Sequence, residues 1–140
     1  MAAYIPWRDC YSVGDRLLDA QHREIFDMID RLYLPMQGAT PGLAAERILD
    51  RLIRSTQAHF DHEEARQKEI AFVQVEAHRA LHHGMIQRML YLRARLTSLP
   101  AGDILEFLRD WWLLHLQCED RKYVMYLDRV RVWDSNLLRR

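Results

Sequence analysis

Glycine and proline are scarce, five and four among 140 residues, too few for the turns of an all-β chain, so helix is the expected element. Cysteine is scarcer still. Cys10 and Cys118 form no CxxC pair and cannot build a disulfide framework, which suits a reducing compartment. Net charge is missing: twenty basic side chains balance twenty acidic ones, so no overall field draws in nucleic acid or anionic lipid. Long apolar runs are missing too. None approaches the ~20 residues of a membrane span, and the opening MAAYIPWRDC has neither the basic nor the apolar region of a leader. A cytoplasmic protein is expected, with no nucleic-acid partner and no membrane span. What is present is a chain 49% hydrophobic and 29% charged, a globular composition long enough for one continuous core and too short for two. The expectation is a single domain over residues 1–140.

Leu18, His22, Ile25, Ile29 and Leu32 step by three and four along one face of a helix of about twenty residues. Asp15 or Asp19 caps its start, and Pro35 with Gly38 closes it. A second helix opens with Thr40 as N-cap and Pro41 as first helical residue; it carries Ile48, Leu49, Leu52, Ile53, Thr56, His59, Phe60 and Glu63. The pattern loosens between Arg66 and Gln74. A third stripe of Val75, His78, His82, Met85, Met89, Leu92 and Leu96 then runs until Pro100 and Gly102. Asp103 caps the last helix, where Ile104, Leu108, Trp111, His115 and Lys122 lie beside Trp112, Leu116, Tyr123 and Leu127. Short connections between four amphipathic helices predict an all-α fold, an antiparallel up-down-up-down four-helix bundle. Residues 1–14 form an extended arm along its outside, the bundle spans about 15–127, and the tail 128–140 either extends the last helix or folds back.

Each apolar stripe is interrupted by groups able to ligate a metal: His22, then His59 and Glu63, then His78 and His82, then His115. A single histidine on such a face is ordinarily a hydrogen-bonded core residue. A whole set is different. Each unsatisfied buried group costs on the order of 1–3 kcal/mol, too much in sum for a marginally stable domain, whereas a metal removes the cost for all of them. The competing reading, a metal-free bundle whose histidines satisfy one another, leaves too many groups without partners. His59 with Glu63, and His78 with His82, are four apart and differ by only ~40° around a helix. Asp120, five residues beyond His115, is turned ~140° from it on a regular helix. It borders the line of Leu116 and Tyr123, where a carboxylate reaches a second ion one turn along, and spacing does not select it over Glu119. Five imidazoles and two carboxylates exceed the four ligands of a tetrahedral zinc and suit two ions bridged by carboxylates. No glutamate has a histidine three residues later, so the Glu-x-x-His signature of ferritin-like di-iron proteins is absent. His62 and Glu64 fall on the solvated side or its margin, and His83 is a bystander beside His82. Cys118 reads as a small buried hydrophobe rather than a redox thiol.

The segments Trp7…Tyr11-Ser-Val-Gly, Asp19-Ala-Gln-His22, His59-Phe-Asp-His-Glu63-Glu and His78-Arg-Ala-Leu-His82 join a fourth, Trp111-Trp-Leu-Leu-His115-Leu-Gln-Cys-Glu-Asp120-Arg-Lys-Tyr123. Together they resemble a hemerythrin-like domain of the bacterial type over residues 7 to 127. The resemblance implies two non-heme iron ions (Fe2+/Fe3+), bridged by Glu63, Asp120 and an oxo or hydroxo group. His78, His82 and His115 would hold one, and His22 and His59 the other. The second iron, with fewer protein ligands, would keep an open position for O2, bound reversibly for transport, storage or sensing. Ile25, Phe60, Trp111, Trp112 and Leu116 would wall that position. The implied protein is an oxygen binder rather than an enzyme, monomeric or weakly oligomeric, with a protein partner conceivable for O2 delivery or signalling. Two alternatives stand beside it: a di-iron redox enzyme handling peroxide or nitric oxide or repairing iron centres, and a signalling module acting on a partner in trans. The sequence departs from the family at Arg66-Gln67 and Phe72-Val73, where relatives commonly have Leu-Met and Tyr-Pro, and at Trp112, where a leucine is usual.

Overall fold

Asp15 opens the first helix: its carboxylate accepts from the backbone N–H groups of Leu17 and Leu18 at 2.9 and 3.2 Å, satisfying donors that a helix start leaves free. Asp19 has another task. It accepts from the Val13 N–H at 2.8 Å and from the Ser12 hydroxyl, tying the N-terminal arm to the helix it precedes. The structure, a computed structural model, describes residues 3–38, 41–126 and 128–129. They form α1 (Arg16–Tyr33), α2 (Leu43–Glu69), α3 (Val75–Ala94) and α4 (Ala101–Leu114), the last continued by a π-helical turn, His115–Glu119, and by helix over 120–126. The helices build the antiparallel up-down-up-down bundle, α1 packing on α2 and α4, and α2 on α3. No strand occurs among the described residues, and no helix among them is long and apolar enough to cross a membrane.

Two helix starts differ from expectation. α2 begins at Leu43 with Gly42 as its cap, after Pro41; starting at Pro41 would place Gly42 inside the helix, where glycine loses the most backbone freedom. Thr40 lies outside the described residues, as do residues 130–140 of the tail. α4 begins two residues before Asp103, which therefore sits in the first turn and meets the helix dipole instead of capping. The Pro100 carbonyl accepts from Asp103 and Ile104 at 3.1 and 3.3 Å, so the helix needs no later cap. The α2–α3 connection, where the sequence leaves the family pattern, is a tight close. Ala71 takes the left-handed conformation at φ 52°, and the Phe72 N–H returns to the Gln67 carbonyl at 2.9 Å.

The apolar core has two parts. The larger draws on all four helices, with Ile29, Leu32, Leu49, Leu52, Met85, Met89, Ile104, Leu108 and Trp112 among its members. The smaller joins Val13, Leu18, Phe72 and Tyr123 at the other end. Going along α1 from Leu18 to Ile25 passes His22, and going along α2 from Phe60 toward Phe72 passes Glu63 and Gln67. The polar layer therefore sits between two apolar plugs. The arm closes one side: Ile5, Tyr11 and Val13 are buried, and the Trp7 ring lies 6.5 Å from that of His22 at 24°.

Candidate metal centre

Seven buried side chains converge in that layer: His22 from α1, His59 and Glu63 from α2, His78 and His82 from α3, His115 and Asp120 from the end of α4. They form two groups with mutual ligand-atom distances within 4.8 Å, one of Glu63, His78, His82, His115 and Asp120, the other of His22, His59 and Glu63. Glu63 belongs to both. Each carboxylate turns one oxygen to either side. Glu63 Oε1 lies 2.7 Å from His78 Nε2 and 3.3 Å from His82 Nε2, while its Oε2 lies 3.3 Å from His59 Nε2 and 3.8 Å from His22 Nε2. Asp120 Oδ1 lies 3.0 Å from His78 Nε2 and 3.1 Å from His115 Nε2, while its Oδ2 lies 3.6 Å from His22 Nε2.

Asp120 reaches this position because the helix changes pitch. In the π turn the Asp120 N–H bonds to the His115 carbonyl, an i→i+5 step that sets residues five apart over one another, where a regular helix would part them by ~140°. The turn therefore selects Asp120 over Glu119, a choice helical spacing leaves open. The same turn leaves Gln117 and Cys118 facing outward. Cys118 is exposed, not the buried hydrophobe its spacing suggests.

The donor set fits a metal. The Nε2 atoms of His22, His59 and His78, together with all four oxygens of Glu63 and Asp120, are buried without a hydrogen bond of acceptable geometry despite their short separations. His82 Nε2 and His115 Nε2 face each other at 3.3 Å. Apart from the proton on His78, these are lone pairs crowded on a common point in a dry interior, which is costly unless a cation lies among them. Electrostatics point the same way. Burial, helped by the neighbouring His59, lowers the His22 pKa to about 3, and burial lowers that of His82 to about 4, so both imidazoles stay neutral and able to donate a lone pair. Burial acts to lower His78 as well, but the Asp120 and Glu63 carboxylates outweigh it and raise it to about 10. Burial pushes Glu63 up, yet its histidine neighbours hold it well below the ordinary carboxylate value; Asp120, pushed up by burial and by Glu63, is held at about 2 by His115 and His78. Both carboxylates remain ionised. The layer is able to hold a metal.

The expected wall residues divide. Phe60 stacks on His82, centroids 3.8 Å apart and planes at 3°, and Trp111 stacks on His115 at 4.4 Å and 14°. Both rings thus cover the three-histidine side, with Trp111 only half-buried. Trp112 is fully buried, its ring 5.8 Å from His22 and 5.9 Å from His59, its indole N–H without a partner. Ile25 and Leu116 belong to the same apolar cluster. His62 and His83 are exposed, as their spacing indicates. Glu64 is nearer the site than a solvated margin implies: its Oε1 lies 3.5 Å from His82 Nδ1, and burial raises its pKa. Gln21 is a residue the pattern does not pick out. Its Oε1 lies 2.8 Å from His59 Nδ1, and its place beside His22 carries no periodic signal, because the contact crosses from one helix to another.

The hemerythrin HHE cation binding domain family matches residues 13–127. A bacteriohemerythrin of Pseudomonas aeruginosa (strain LESB58) is 31% identical over 98% of this chain and 88% of its own length. That of Stenotrophomonas maltophilia (strain R551-3) is 28% identical over 86% of this chain and 80% of its own. A crystal structure of wild-type hemerythrin superposes with a TM-score of 0.79 at 25% identity, covering 89% of this chain and 98% of that one.

Proposed function

The chain belongs to the hemerythrin HHE cation-binding family, and from that premise we propose that it is a di-iron protein that binds dioxygen reversibly, for transport, storage or sensing. The carrying observation is the pair of groups that share Glu63 and differ in their nitrogen donors. His78, His82 and His115 would hold one iron and His22 and His59 the other, with Glu63 and Asp120 each turning one oxygen toward either group. The His22 and His59 side offers fewer protein donors and would leave room there for O2. Iron bound there would supply the electrons that reversible O2 binding requires.

The chain's own residues set the conditions. The neutral His22 and His82 offer lone pairs without competition from protons at ordinary pH, and the two carboxylates bring the negative charge that a pair of cations requires. Ile25, Phe60, Trp112 and Leu116, all buried, exclude water. They carry no acid or base, which favours binding over turnover. Trp112 fills the space against His22 and His59 and narrows access to that side of the layer.

Iron analysis combined with optical spectra tests the proposal. Anaerobically reduced protein is expected to hold two irons per chain, to gain a visible charge-transfer band on exposure to O2, and to lose it when O2 is withdrawn. Iron-free protein, or a band that never reverses, would overturn it.

A further inference from the structure

His59 is joined to the surface by one side chain. Gln21, half-buried on α1, offers Oε1 to His59 Nδ1 at 2.8 Å, and its Nε2 lies 2.7 Å from Nδ1 of His62, an exposed residue on α2. We propose that Gln21 is a positioning residue: clamped between His59 and His62, its amide holds His59 in the tautomer protonated at Nδ1 and leaves the Nε2 lone pair free for the cation of the two-histidine group. The tautomer assignment stands on the hydrogen bonds alone; its consequence for the cation rests on the di-iron reading above.

A neutral imidazole has one N–H and one lone pair, and an amide has one accepting and one donating end, so the three side chains admit two self-consistent arrangements. In one, the Gln21 carbonyl accepts from His59 Nδ1–H while its NH2 donates to His62 Nδ1. His59 Nε2 is then unprotonated. It faces Glu63 Oε2 at 3.3 Å with no hydrogen bond of acceptable geometry between them, an arrangement of two lone pairs that a metal ion between them relieves. In the other, the amide is turned end for end, its NH2 meets a lone pair at His59 Nδ1, and the proton moves to Nε2. That proton bonds to Glu63 and occupies the place of the metal. The first arrangement opens the site, and the second closes it.

The amide needs its second anchor. A backbone carbonyl beside His59 would only ever accept, whereas a glutamine can swing through half a turn, so the outer contact with His62 selects the useful orientation. His62, a bystander to ligation, thereby acts on the site through Gln21. A second short contact to a distal imidazole nitrogen differs in kind: Glu64, 3.5 Å from His82 Nδ1, has two oxygens and cannot present a donor when ionised.

The test compares wild type, Gln21→Leu, Gln21→Glu and His62→Ala by imidazole 15N NMR of the ion-free protein and by Co2+ titration followed in the visible spectrum. Wild-type His59 is expected in the Nδ1–H form. Gln21→Leu shifts it toward Nε2–H and weakens the second Co2+ by about 10–100-fold, leaving the first unchanged. Gln21→Glu, which can only accept, restores both the tautomer and the affinity; His62→Ala gives a mixture and an intermediate loss. Should Gln21→Leu fail to fold, the exposed His62→Ala carries the comparison. An unchanged His59 tautomer in both Gln21→Leu and His62→Ala, or a Gln21→Glu protein as impaired as Gln21→Leu, overturns the proposal. If wild type takes up no second Co2+ while the tautomers shift as stated, the di-iron reading fails and the assignment of Gln21 stands.

Discussion

His78 holds the proton of the ion-free site: its pKa is raised to about 10, whereas His22 and His82 are lowered to about 3 and about 4 from an ordinary 6.5. A metal must displace that proton. Ion uptake therefore releases it, and affinity grows by about tenfold per pH unit as pH rises toward 10, which pH-dependent Co2+ titration measures. Stability of the ion-free protein follows from the same shifts. The His78 contribution is complete below pH 6.5 and is lost as pH rises through about 10. The unfolded chain gains protons below pH 6.5 that folded His22 and His82 refuse, so stability is also lost as pH falls toward 4. Thermal melts of ion-free protein are expected to peak near pH 6.5, and a midpoint still climbing at alkaline pH would contradict the assignment. Trp112 is the second residue with a measurable role. Trp112→Leu places the residue usual in the family and opens space beside His22 and His59, so, on the O2-binding function proposed above, both O2 release and autoxidation should quicken. Its stability cost stays below the ~3–5 kcal/mol of a tryptophan-to-alanine change because leucine refills part of the cavity. Stopped-flow release and autoxidation rates at wild-type values would show that the indole does not control access.

Among the elements, the π turn at His115–Glu119 decides most. Four residues apart on a regular helix share a face and five do not, so the extra residue in this turn must be absorbed for His115 and Asp120 to meet. Removing it is therefore expected to be harmless to the site. Deleting exposed Gln117 converts the turn to regular helix with the two ligands four apart, and two ions per chain are retained. Deleting exposed Asp110, in the regular part of α4, instead rotates everything after it by ~100° relative to the earlier turns. Metal stoichiometry of the two deletion proteins separates them: loss in the first or retention in the second would refute this account of the turn. The helix starts teach a similar lesson. Asp15 caps as its position suggests, but Gly42 and Pro100 replace the anticipated Thr40 and Asp103, because proline carbonyls and backbone entropy enter the choice alongside side-chain caps.

At the scale of the whole molecule, the metal layer sits between two apolar clusters and touches all four helices, so ion binding and folding are one equilibrium. A ligand present at a thousand times its Kd stabilises by about 4 kcal/mol, so chelation should lower the melting midpoint by on the order of 10–20 °C. Calorimetry before and after iron removal checks this; an unchanged midpoint would mean the layer is satisfied without metal. The four stripes, the order of the helices and six of the side chains that meet in the layer, all but Asp120, are legible in the sequence, because helical period is local and marks which residues face inward. The family motifs add which carboxylate of the pair Glu119 and Asp120 belongs to the layer, a point that period leaves open. What the tertiary structure alone decides is the π pitch that brings Asp120 round and turns Cys118 outward, the stacking of Phe60 and Trp111 on one side of the layer and the arm's Trp7 on the other, and the bond from His59 through Gln21 to His62. Each of these is a relation between helices, or a departure from helical regularity forced by such a relation, and no pattern along a single helix carries it.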